Sequence, residues 1–330
     1  MINLLIVICT KNREKILAKC LDSLIREIEL TPNAAIRILI VHSRNERCEF
    51  YELIEKYKEK LKDNLQAIPQ SRKGLPNARN SALPLIKKGE IVLFLDDDVL
   101  LEPGYIKKLL DHFNKNHALG GLSGAYQRTP KVIEKLPSLI RKLKSILDRV
   151  LIGGEIDRDI GEVYRTALTS TNFELANSIR FVKRLSGCNM AYRQEVIEVV
   201  GEFDEEYGSD VAIGEDCDYS FRVYRKGYSL IIDPSMRVYH INVDEPVFPQ
   251  STKFFAELGR NTARFFLKFF NNGSNFKFLS FILANLYLTI MFEVAALMYG
   301  CPFRGLSYFK GILLGLIINQ NRDMSAYSVS

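Results

Sequence analysis

Glycine is scarce at the start of this chain, and none occurs before Gly74. A dinucleotide-binding fingerprint requires G-x-G-x-x-G directly after the first strand, and a P-loop requires G-x-x-x-x-G-K-[ST]. Neither pattern follows the first strand here. A phosphate group bound by this protein must therefore be held in another way, and a metal ion on carboxylates is the obvious means.

Paired cysteines are also missing, because no two of the six cysteines have C-x-x-C spacing. The sequence thus predicts neither a zinc site nor a disulfide framework, and it indicates a reducing compartment. Residues 1–9 are apolar but lack a basic region before them, and Lys11, Arg13 and Glu14 follow at once. This segment is typical of a first strand rather than a signal peptide, so we expect a cytoplasmic protein.

A strong charge excess is absent too. The formal net charge is +6 over 330 residues, and the basic residues are dispersed without a Lys/Arg-rich tail. This mildly basic balance suits anionic partners such as nucleotide phosphates or an acidic membrane surface. It gives no indication of nucleic-acid binding.

The first part of the chain alternates apolar runs with segments of helical periodicity. Strands are predicted at residues 2–9, 36–41, 65–68 and 91–95, and helices at 14–29, 46–62, 76–86 and 104–113. Repeated βα units of this kind predict an α/β fold with a parallel sheet covered by helices on both faces. Further strands are predicted at 119–126, 181–185 and 236–239. Residues 153–178 are polar and irregular, which is equally compatible with a lid or acceptor loop and with a surface excursion.

The predicted strand at 91–95 runs directly into Asp96, Asp97 and Asp98. In open α/β sheets, ligands bind just beyond the carboxyl ends of the strands. Three adjacent carboxylates repel one another unless a cation lies among them, and Mg²⁺ binds through one or two carboxylates plus substrate phosphates. The run therefore indicates a metal–phosphate site, the alternative being a solvated turn.

A second acidic cluster comprises Glu215, Asp216 and Asp218 at the start of a predicted helix. Acidic residues in a first turn can simply stabilise the helix. The alternative is a general base, because a carboxylate beside another carboxylate is a better proton acceptor. His240 follows the predicted strand at 236–239 and is either structural or a metal ligand.

Six short motifs then occur in an order that resembles family 2 glycosyltransferases of the GT-A fold. The resemblance extends from residue 2 to about residue 241. The motifs are CTKNR at 9–13, GLPNARN at 74–80, DDD at 96–98, GCNMA at 187–191, GEFDE at 201–205 and ED at 215–216. The resemblance implies a Rossmann-like, mainly parallel sheet flanked by helices and transfer of a sugar from a nucleoside-diphosphate sugar.

The resemblance also implies a role for individual residues. The nucleotide would be bound by Thr10, Asn12, Arg13, Arg79, Asp96 and Asp97. Asp98 would hold Mn²⁺ or Mg²⁺ against the diphosphate, with His240 as a further ligand. The donor sugar and the acceptor would be bound by Gly187, Asn189 and Glu215. Asp216 would deprotonate the acceptor hydroxyl, and attack from the opposite face would invert the anomeric centre.

One departure from the family pattern concerns the nucleotide base. Family members usually carry an acidic residue just after the second strand, whereas residues 41–45 read VHSRN here. UDP, dTDP and GDP therefore all remain candidate donors.

The sequence changes character near residue 247, so we predict a catalytic domain at 1–246 and a helical appendage at 247–330. Residues 254–270 are predicted to form a basic aromatic helix that suits either an anionic membrane surface or packing on the catalytic domain. Residues 278–303 are apolar over a length that could span a bilayer. Asn285, Thr289 and Glu293 share one stripe there, which favours a monotopic or peripheral appendage at the cytoplasmic face over a transmembrane segment.

Membrane contact would make a lipid-linked acceptor plausible beside a simple saccharide. Two alternatives to the main interpretation remain at this point: a polyprenyl-phosphate glycosyl synthase, and a non-catalytic membrane-associated protein that binds nucleotide sugars. A nucleotidyltransferase is disfavoured, because it should have a glycine-rich phosphate loop after the first strand.

Overall fold

The computed structural model describes residues 3–43, 48–126, 138–208, 212–241 and 248–327. The strands are β1 (Asn3–Thr10), β2 (Ala35–His42), β3 (Leu65–Pro69), β4 (Glu90–Asp96), β5 (Val99–Leu101), β6 (Leu119–Tyr126), β7 (Arg180–Val182), β8 (Asn189–Arg193) and β9 (Ser229–His240). The helices are α1 (Glu14–Glu29), α2 (Cys48–Leu61), α3 (Leu75–Ala82), α4 (Tyr105–Lys115), α5 (Ser138–Leu147), α6 (Gln194–Val200), α7 (Glu215–Arg225), α8 (Thr252–Phe269), α9 (Asn275–Met298) and α10 (Arg304–Tyr327).

Within these ranges the strands form one sheet in the order β3-β2-β1-β4-β8-β6-β9-β5, with β7 also paired to β9. Strands β1 to β4 contribute the parallel pairs β1–β2, β1–β4 and β2–β3. The remaining strands add the parallel pair β6–β9 and four antiparallel pairs. The predicted α/β fold is confirmed, and its four N-terminal strands are parallel as the βα alternation requires.

The apolar runs form strands because both of their faces are covered. Every residue of β4 from Glu90 to Leu95 is buried, and α1 contributes Leu17, Leu21 and Leu24 to the same core. A strand covered on both faces has no need of polar alternation, which explains its continuous apolar sequence.

Three features of the sheet differ from the sequence prediction. Strands β5 and β8 were not predicted, because each has five residues or fewer and neither shows a clear alternation. The strand predicted at 236–239 is the end of β9, which begins at Ser229, and β7 is shorter than the prediction at 181–185. Part of the predicted helix at 46–62 lies outside the described residues, as does part of the basic stretch at 131–149, for which the sequence also predicts a helix.

The chain divides into two compact units. One comprises residues 1–128 and 173–243 and contains the sheet; the other, called here the helical unit, comprises 129–172 and 244–330 and contains helices α5, α8, α9 and α10. Grouping of 129–172 with the C-terminal helices was not anticipated from the sequence. The predicted boundary at 246/247 falls outside the described residues and stays a prediction.

In the helical unit, α8 packs closely on α10. A Cβ atom at Gly259 would overlap the carbonyl of Tyr308, and one at Gly311 would overlap the carbonyl of Ala256. Arg264, Phe265 and Phe266 of α8 are consequently buried. The helix therefore packs on α10 of its own unit, and the two alternatives predicted for residues 254–270, a membrane surface and the catalytic domain, stay predictions.

Candidate active site

The carboxyl ends of the central parallel strands bring the first acidic cluster to one edge of the sheet. Cys9 pairs with Asp96 across β1 and β4, and Thr10 pairs with His42 across β1 and β2. The loop after β1 therefore lies beside the three aspartates. This is the edge at which ligands bind in open α/β sheets.

Asp97 joins the first loop to the aspartate cluster. Its Oδ2 accepts a hydrogen bond from Thr10 Oγ1 at 2.6 Å, and its Oδ1 accepts one from Arg13 Nη1 at 3.1 Å. Asp97 is buried, and burial raises its pKa although both partners oppose that change. The Asp97 carboxylate, directly after β4, thus fixes the position of the loop that follows β1.

Asp98 and His240 form the pair that could hold a metal ion. Val99 pairs with His240 across β5 and β9, which brings His240 Nδ1 to 3.5 Å from Asp98 Oδ1. The contact with Asp98 raises the pKa of His240 to about 10. Arg13 Nη1 lies 3.2 Å from the other oxygen of Asp98.

This pair fits a divalent ion that shares its coordination with a substrate. No cluster of three or more His, Cys, Asp or Glu side chains suited to a metal occurs in the part of the chain that the structure describes. A carboxylate oxygen and an imidazole nitrogen, whose proton an incoming ion would displace, instead offer two protein ligands. Mg²⁺ is commonly bound by one or two protein groups together with phosphate oxygens.

Arg79 lies at the centre of the site and connects the two acidic clusters. Its Nη1 donates to Glu215 Oε1 at 2.8 Å, its Nη2 donates to the Gly187 carbonyl at 3.2 Å, and Nη2 lies 3.7 Å from Asp96 Oδ1. Burial raises the pKa of Glu215, and Arg79 opposes this. Burial and neighbouring acids raise the pKa of Asp96 to about 7, again against Arg79.

Asp216, the predicted base, lies next to this cluster at the start of α7. Its Oδ2 accepts hydrogen bonds from Arg184 Nη2 at 2.9 Å and from the Gly187 amide at 3.0 Å, and its Oδ1 accepts one from the Cys217 amide at 2.7 Å. A Cβ atom at Gly187 would lie 3.1 Å from Asp216 Cβ and 3.4 Å from Arg79 Nη2. Glycine is therefore suited to this position, where backbone passes between two functional side chains.

Asn189 has a different environment from its neighbours in the motif. It is fully buried in β8, where its Oδ1 accepts from Ser123 Oγ at 2.5 Å and from the Gly124 amide at 3.2 Å. Its Nδ2 donates to the Gly124 carbonyl at 3.3 Å. The side-chain amide of Asn189 thus joins β8 to β6. Asn189 could therefore influence the donor sugar only indirectly, by fixing the position of β8.

A cavity of about 460 Å³ lies beside the loop after β1. Asn12 in this loop has a positive φ of 52°. Asparagine tolerates this conformation better than most residues. The cavity is lined by Lys11, Asn12, Ser43, Gln70, Ser71, Arg72 and Lys73. Three of these side chains are basic, which suits an anionic ligand.

The structure thus brings most of the residues proposed from the sequence to one edge of the sheet, whereas Asn189 is enclosed in the sheet. Sequence reasoning missed Arg184 and the basic residues 72–73. Arg184 follows Lys183 in the sequence, and the two together resemble an ordinary pair of solvent-exposed basic residues. Only its tertiary contact with Asp216 marks it as part of the site.

The sequence of the first 201 residues decides the family. The family model described as "Glycosyl transferase family 2" matches residues 5–201, which is more than half of the chain. The chain belongs to glycosyl transferase family 2. Its reaction is accordingly glycosyl transfer, as the motifs indicated. Asp216 and His240 lie beyond the matched residues, so their roles depend on the geometry alone.

Solved structures show the same fold at low sequence identity. A mannosyltransferase from Pyrobaculum calidifontis, PcManGT, in complex with GDP-Man and Mn²⁺, has a TM-score of 0.55 and 15% identity over 88% of this chain and 71% of that chain. GalNAc-T7 with UDP, GalNAc and Mn²⁺ has a TM-score of 0.54 and 15% identity over 81% of this chain and 50% of that one. TarS from S. aureus has a TM-score of 0.51 and 17% identity over 88% and 43%. The chain thus spans half or less of the last two structures. No curated protein matches it significantly.

Proposed function

We propose that this family 2 enzyme transfers a sugar from a nucleoside-diphosphate sugar to a hydroxyl group, with metal assistance and inversion. One observation carries the proposal: the Asp98–His240 pair and the Arg79–Gly187–Asp216 cluster lie at the same edge of the sheet. The first group suits a metal-bound diphosphate, and the second offers a carboxylate as base. PcManGT and GalNAc-T7 were both solved with a nucleotide and Mn²⁺, which supports such a donor for this chain.

The donor nucleotide would occupy the cavity lined by residues 11–12, 43 and 70–73. Its basic residues would attract the negative charge of the donor, and Arg13, next to Asn12 of the lining, bonds to Asp97 and Asp98. Arg79 would hold Glu215 and Asp96 in place beside the donor. With no carboxylate at residues 41–43, the base remains open among uracil, thymine and guanine.

Asp98 and His240 would hold Mn²⁺ or Mg²⁺. When bound, the ion would stabilise the negative charge that develops on the departing nucleoside diphosphate. Asp216 would take the proton of the acceptor hydroxyl as its oxygen attacks the anomeric carbon. Attack opposite to the leaving diphosphate inverts that carbon, and this geometry requires a base separate from the metal ligands.

The first test measures thermal stabilisation by UDP, GDP and dTDP, with and without Mn²⁺. Ligands that bind the native state raise the unfolding temperature by mass action. We expect one nucleotide to give a shift that depends on Mn²⁺ and disappears in Asp98→Asn. If no nucleotide stabilises the wild-type protein, the donor site proposed here is wrong.

A second test separates the base from the donor site. Asp216→Asn should keep the Mn²⁺-dependent nucleotide shift and lose turnover by about 10²–10⁴-fold, the usual contribution of a general base. Turnover is read as release of nucleoside diphosphate from UDP-glucose, GDP-mannose or dTDP-glucose. Unimpaired turnover in this variant would refute the assignment of Asp216.

The helical unit suggests where the enzyme works. Helix α9 is long and apolar enough to cross a bilayer, with a mean hydropathy of 1.9 over its most apolar window, one third of which is buried. Its polar residues Asn285 and Thr289 are buried, whereas its outward face is aliphatic. The exposed aliphatic residues of α9 are Leu279, Leu283, Leu286, Ile290, Val294 and Leu297.

A helix with buried polar residues and exposed aliphatic ones has the opposite distribution to a helix on the surface of a soluble protein. Its outward face suits contact with lipid acyl chains. Glu293 of α9 is bonded within the protein, because its carboxylate accepts hydrogen bonds from the Phe303 amide at 2.6 Å and the Gly305 amide at 2.9 Å. The acid thus caps α10 within the protein. We infer that α9 lies in the cytoplasmic leaflet as a monotopic anchor.

Flotation with lipid vesicles tests the anchor. Wild-type protein should float with vesicles, and the triple variant Leu283→Glu, Leu286→Glu, Ile290→Glu should stay at the bottom while keeping its nucleotide shift. Val199→Glu is the control, because Val199 is an exposed apolar residue of the sheet-containing unit. Wild-type protein that fails to float would refute the anchor without affecting the donor site.

Membrane location favours a lipid-linked acceptor over a free saccharide. A polyprenyl phosphate is the simplest such acceptor, and the aliphatic face of α9 is the observation that keeps it as a second candidate. Donor-dependent labelling of a lipid-soluble product distinguishes these acceptors from a water-soluble saccharide.

A further inference from the structure

Arg184 is a buried arginine in the loop between β7 and β8, and it contacts the proposed base. Only 8% of the residue is exposed, and its Nη2 lies 2.9 Å from Asp216 Oδ2. The pair joins residues 32 positions apart in the sequence. Its coupling to Asp216 raises the pKa of Arg184 despite burial, so the guanidinium is a permanent cation at this point.

The hydrogen bonds to Asp216 fix the orientation of its carboxylate. A carboxylate offers about four acceptor positions on its two oxygens. Among the described residues, Arg184 and the Gly187 amide donate to Oδ2, and the Cys217 amide donates to Oδ1. Three positions are thus taken, and two of the donors are backbone amides that cannot follow a rotation of the Asp216 side chain. The remaining position on Oδ1 is the one left for the proton of an incoming hydroxyl.

Other groups around Asp216 have different partners. Glu215 and Cys217 flank it on α7, Tyr192 approaches from β8, and Arg79 approaches from α3. Arg79 uses its Nη1 on Glu215 and its Nη2 on the Gly187 carbonyl. Arg184 is therefore the cation that bonds directly to the Asp216 carboxylate.

We propose that Arg184 is the positioning residue of the catalytic base. It holds the Asp216 carboxylate so that Oδ1 receives the proton of the acceptor hydroxyl. In this step the acceptor oxygen bonds to the anomeric carbon, the bond from that carbon to the diphosphate breaks, and its electron pair leaves with the diphosphate. The proton stays on Asp216. This inference rests on the proposed function, because it requires Asp216 to be the base.

The test compares Arg184→Ala with wild type by nucleoside diphosphate release from UDP-glucose, GDP-mannose or dTDP-glucose in the presence of Mn²⁺. Misplacing a reacting group can cost about 10²-fold in rate, so kcat should fall by about that factor. The KM for the donor and the nucleotide-dependent thermal shift should not change. Added guanidinium ion should restore part of the rate in Arg184→Ala only, and Arg184→Lys should lie between the two.

The matched control is Arg37→Met. Arg37 forms a bidentate pair with Glu90, at 2.9 Å and 3.0 Å, near the amino end of the same sheet. Losing this pair should lower the unfolding temperature and leave kcat, KM and the response to guanidinium ion as in wild type.

A double mutant distinguishes positioning from general support of the fold. If Arg184 acts through Asp216, then Arg184→Ala should cause no further loss in an Asp216→Asn background, because coupled residues are not additive. An equal further loss in that background would overturn the inference. A wild-type kcat in Arg184→Ala would also overturn the inference. Where that variant does not fold, Arg184→Gln is measured in its place, with the same interpretation. Full turnover of Asp216→Asn alone would instead overturn the proposed base.

Discussion

In the sheet-containing unit one cluster of buried charged groups lies at the carboxyl edge of the central strands, whereas in the helical unit several buried polar groups lie between helices. Arg79 and Glu215 exemplify the first arrangement, with their charges beside the proposed substrate site. Tyr287 and Asn285 exemplify the second: Tyr287 donates to Asp148 at 2.8 Å, and Asn285 accepts from Tyr308. The first unit thus places buried polarity beside the proposed substrate site, and the second uses it to hold helices together while apolar side chains face outward.

Breaking the buried ion pair of the sheet-containing unit should have the largest effect. Arg79→Met leaves Glu215 buried without its cation, which should lower the free energy of unfolding by about 3–5 kcal/mol and abolish transfer. Urea unfolding and diphosphate release measure the two effects. Lys58→Met is the control, because its pair with Glu55 is exposed and should contribute about 0–1 kcal/mol. Equal losses in both variants would contradict this account of the site.

Arg79 also illustrates what the sequence could and could not predict. The DDD run and the strand before it could be located, because a strand buried on both faces is uncharged and ends where the charges begin. The pairing of Arg79 with Glu215 crosses 136 positions of sequence. Such a contact depends on the order of strands in the sheet, which local patterns do not encode.

The missed elements have a similar cause. Strand β8 is not predicted from the sequence, because it is five residues long and its pairing with β4 and β6 is antiparallel, unlike the preceding βα units. The resemblance implies a donor contact for Asn189; in the structure its amide joins two strands, and its role toward the donor stays a prediction. In the helical unit, the spacing of Asn285, Thr289 and Glu293 correctly predicted a shared face, and the packing partner could not be read from it.

Helix packing in the second unit should be the next most sensitive feature. Gly311→Ala would place a Cβ atom against the carbonyl of Ala256, so α8 and α10 must move apart. Overpacking of this kind costs about 1–3 kcal/mol. Thermal unfolding measures the loss, and Lys310→Ala, at the exposed neighbouring position, should unfold like wild type. A stable Gly311→Ala variant would show that the helices are not held at this distance.

Removing the cap that α9 provides for α10 should have a smaller effect. Glu293→Ala deletes the acceptor for the Phe303 and Gly305 amides, which should cost about 1–2 kcal/mol, as for other helix caps. Hydrogen exchange at these two amides should accelerate. Glu293→Gln retains one acceptor oxygen and should lose less. Unchanged exchange in the alanine variant would argue against the cap.

The smallest stability effect is expected on the outward face of α9, and it tests the comparison most directly. Leu283 is exposed and Phe281, two positions earlier, is fully buried. Leu283→Gln should change the free energy of unfolding by no more than about 0.5 kcal/mol, the usual limit for surface positions, whereas Phe281→Ala should cost about 3–5 kcal/mol. Vesicle binding should show the opposite order, with the larger loss in Leu283→Gln. A lipid-facing leucine contributes to partitioning of the protein into the bilayer, and a phenylalanine in the protein core does not. If Leu283→Gln destabilised the fold and left flotation unchanged, the outward face of α9 would belong to a protein interface. The apolar surface of the helical unit would then have to be explained without a membrane.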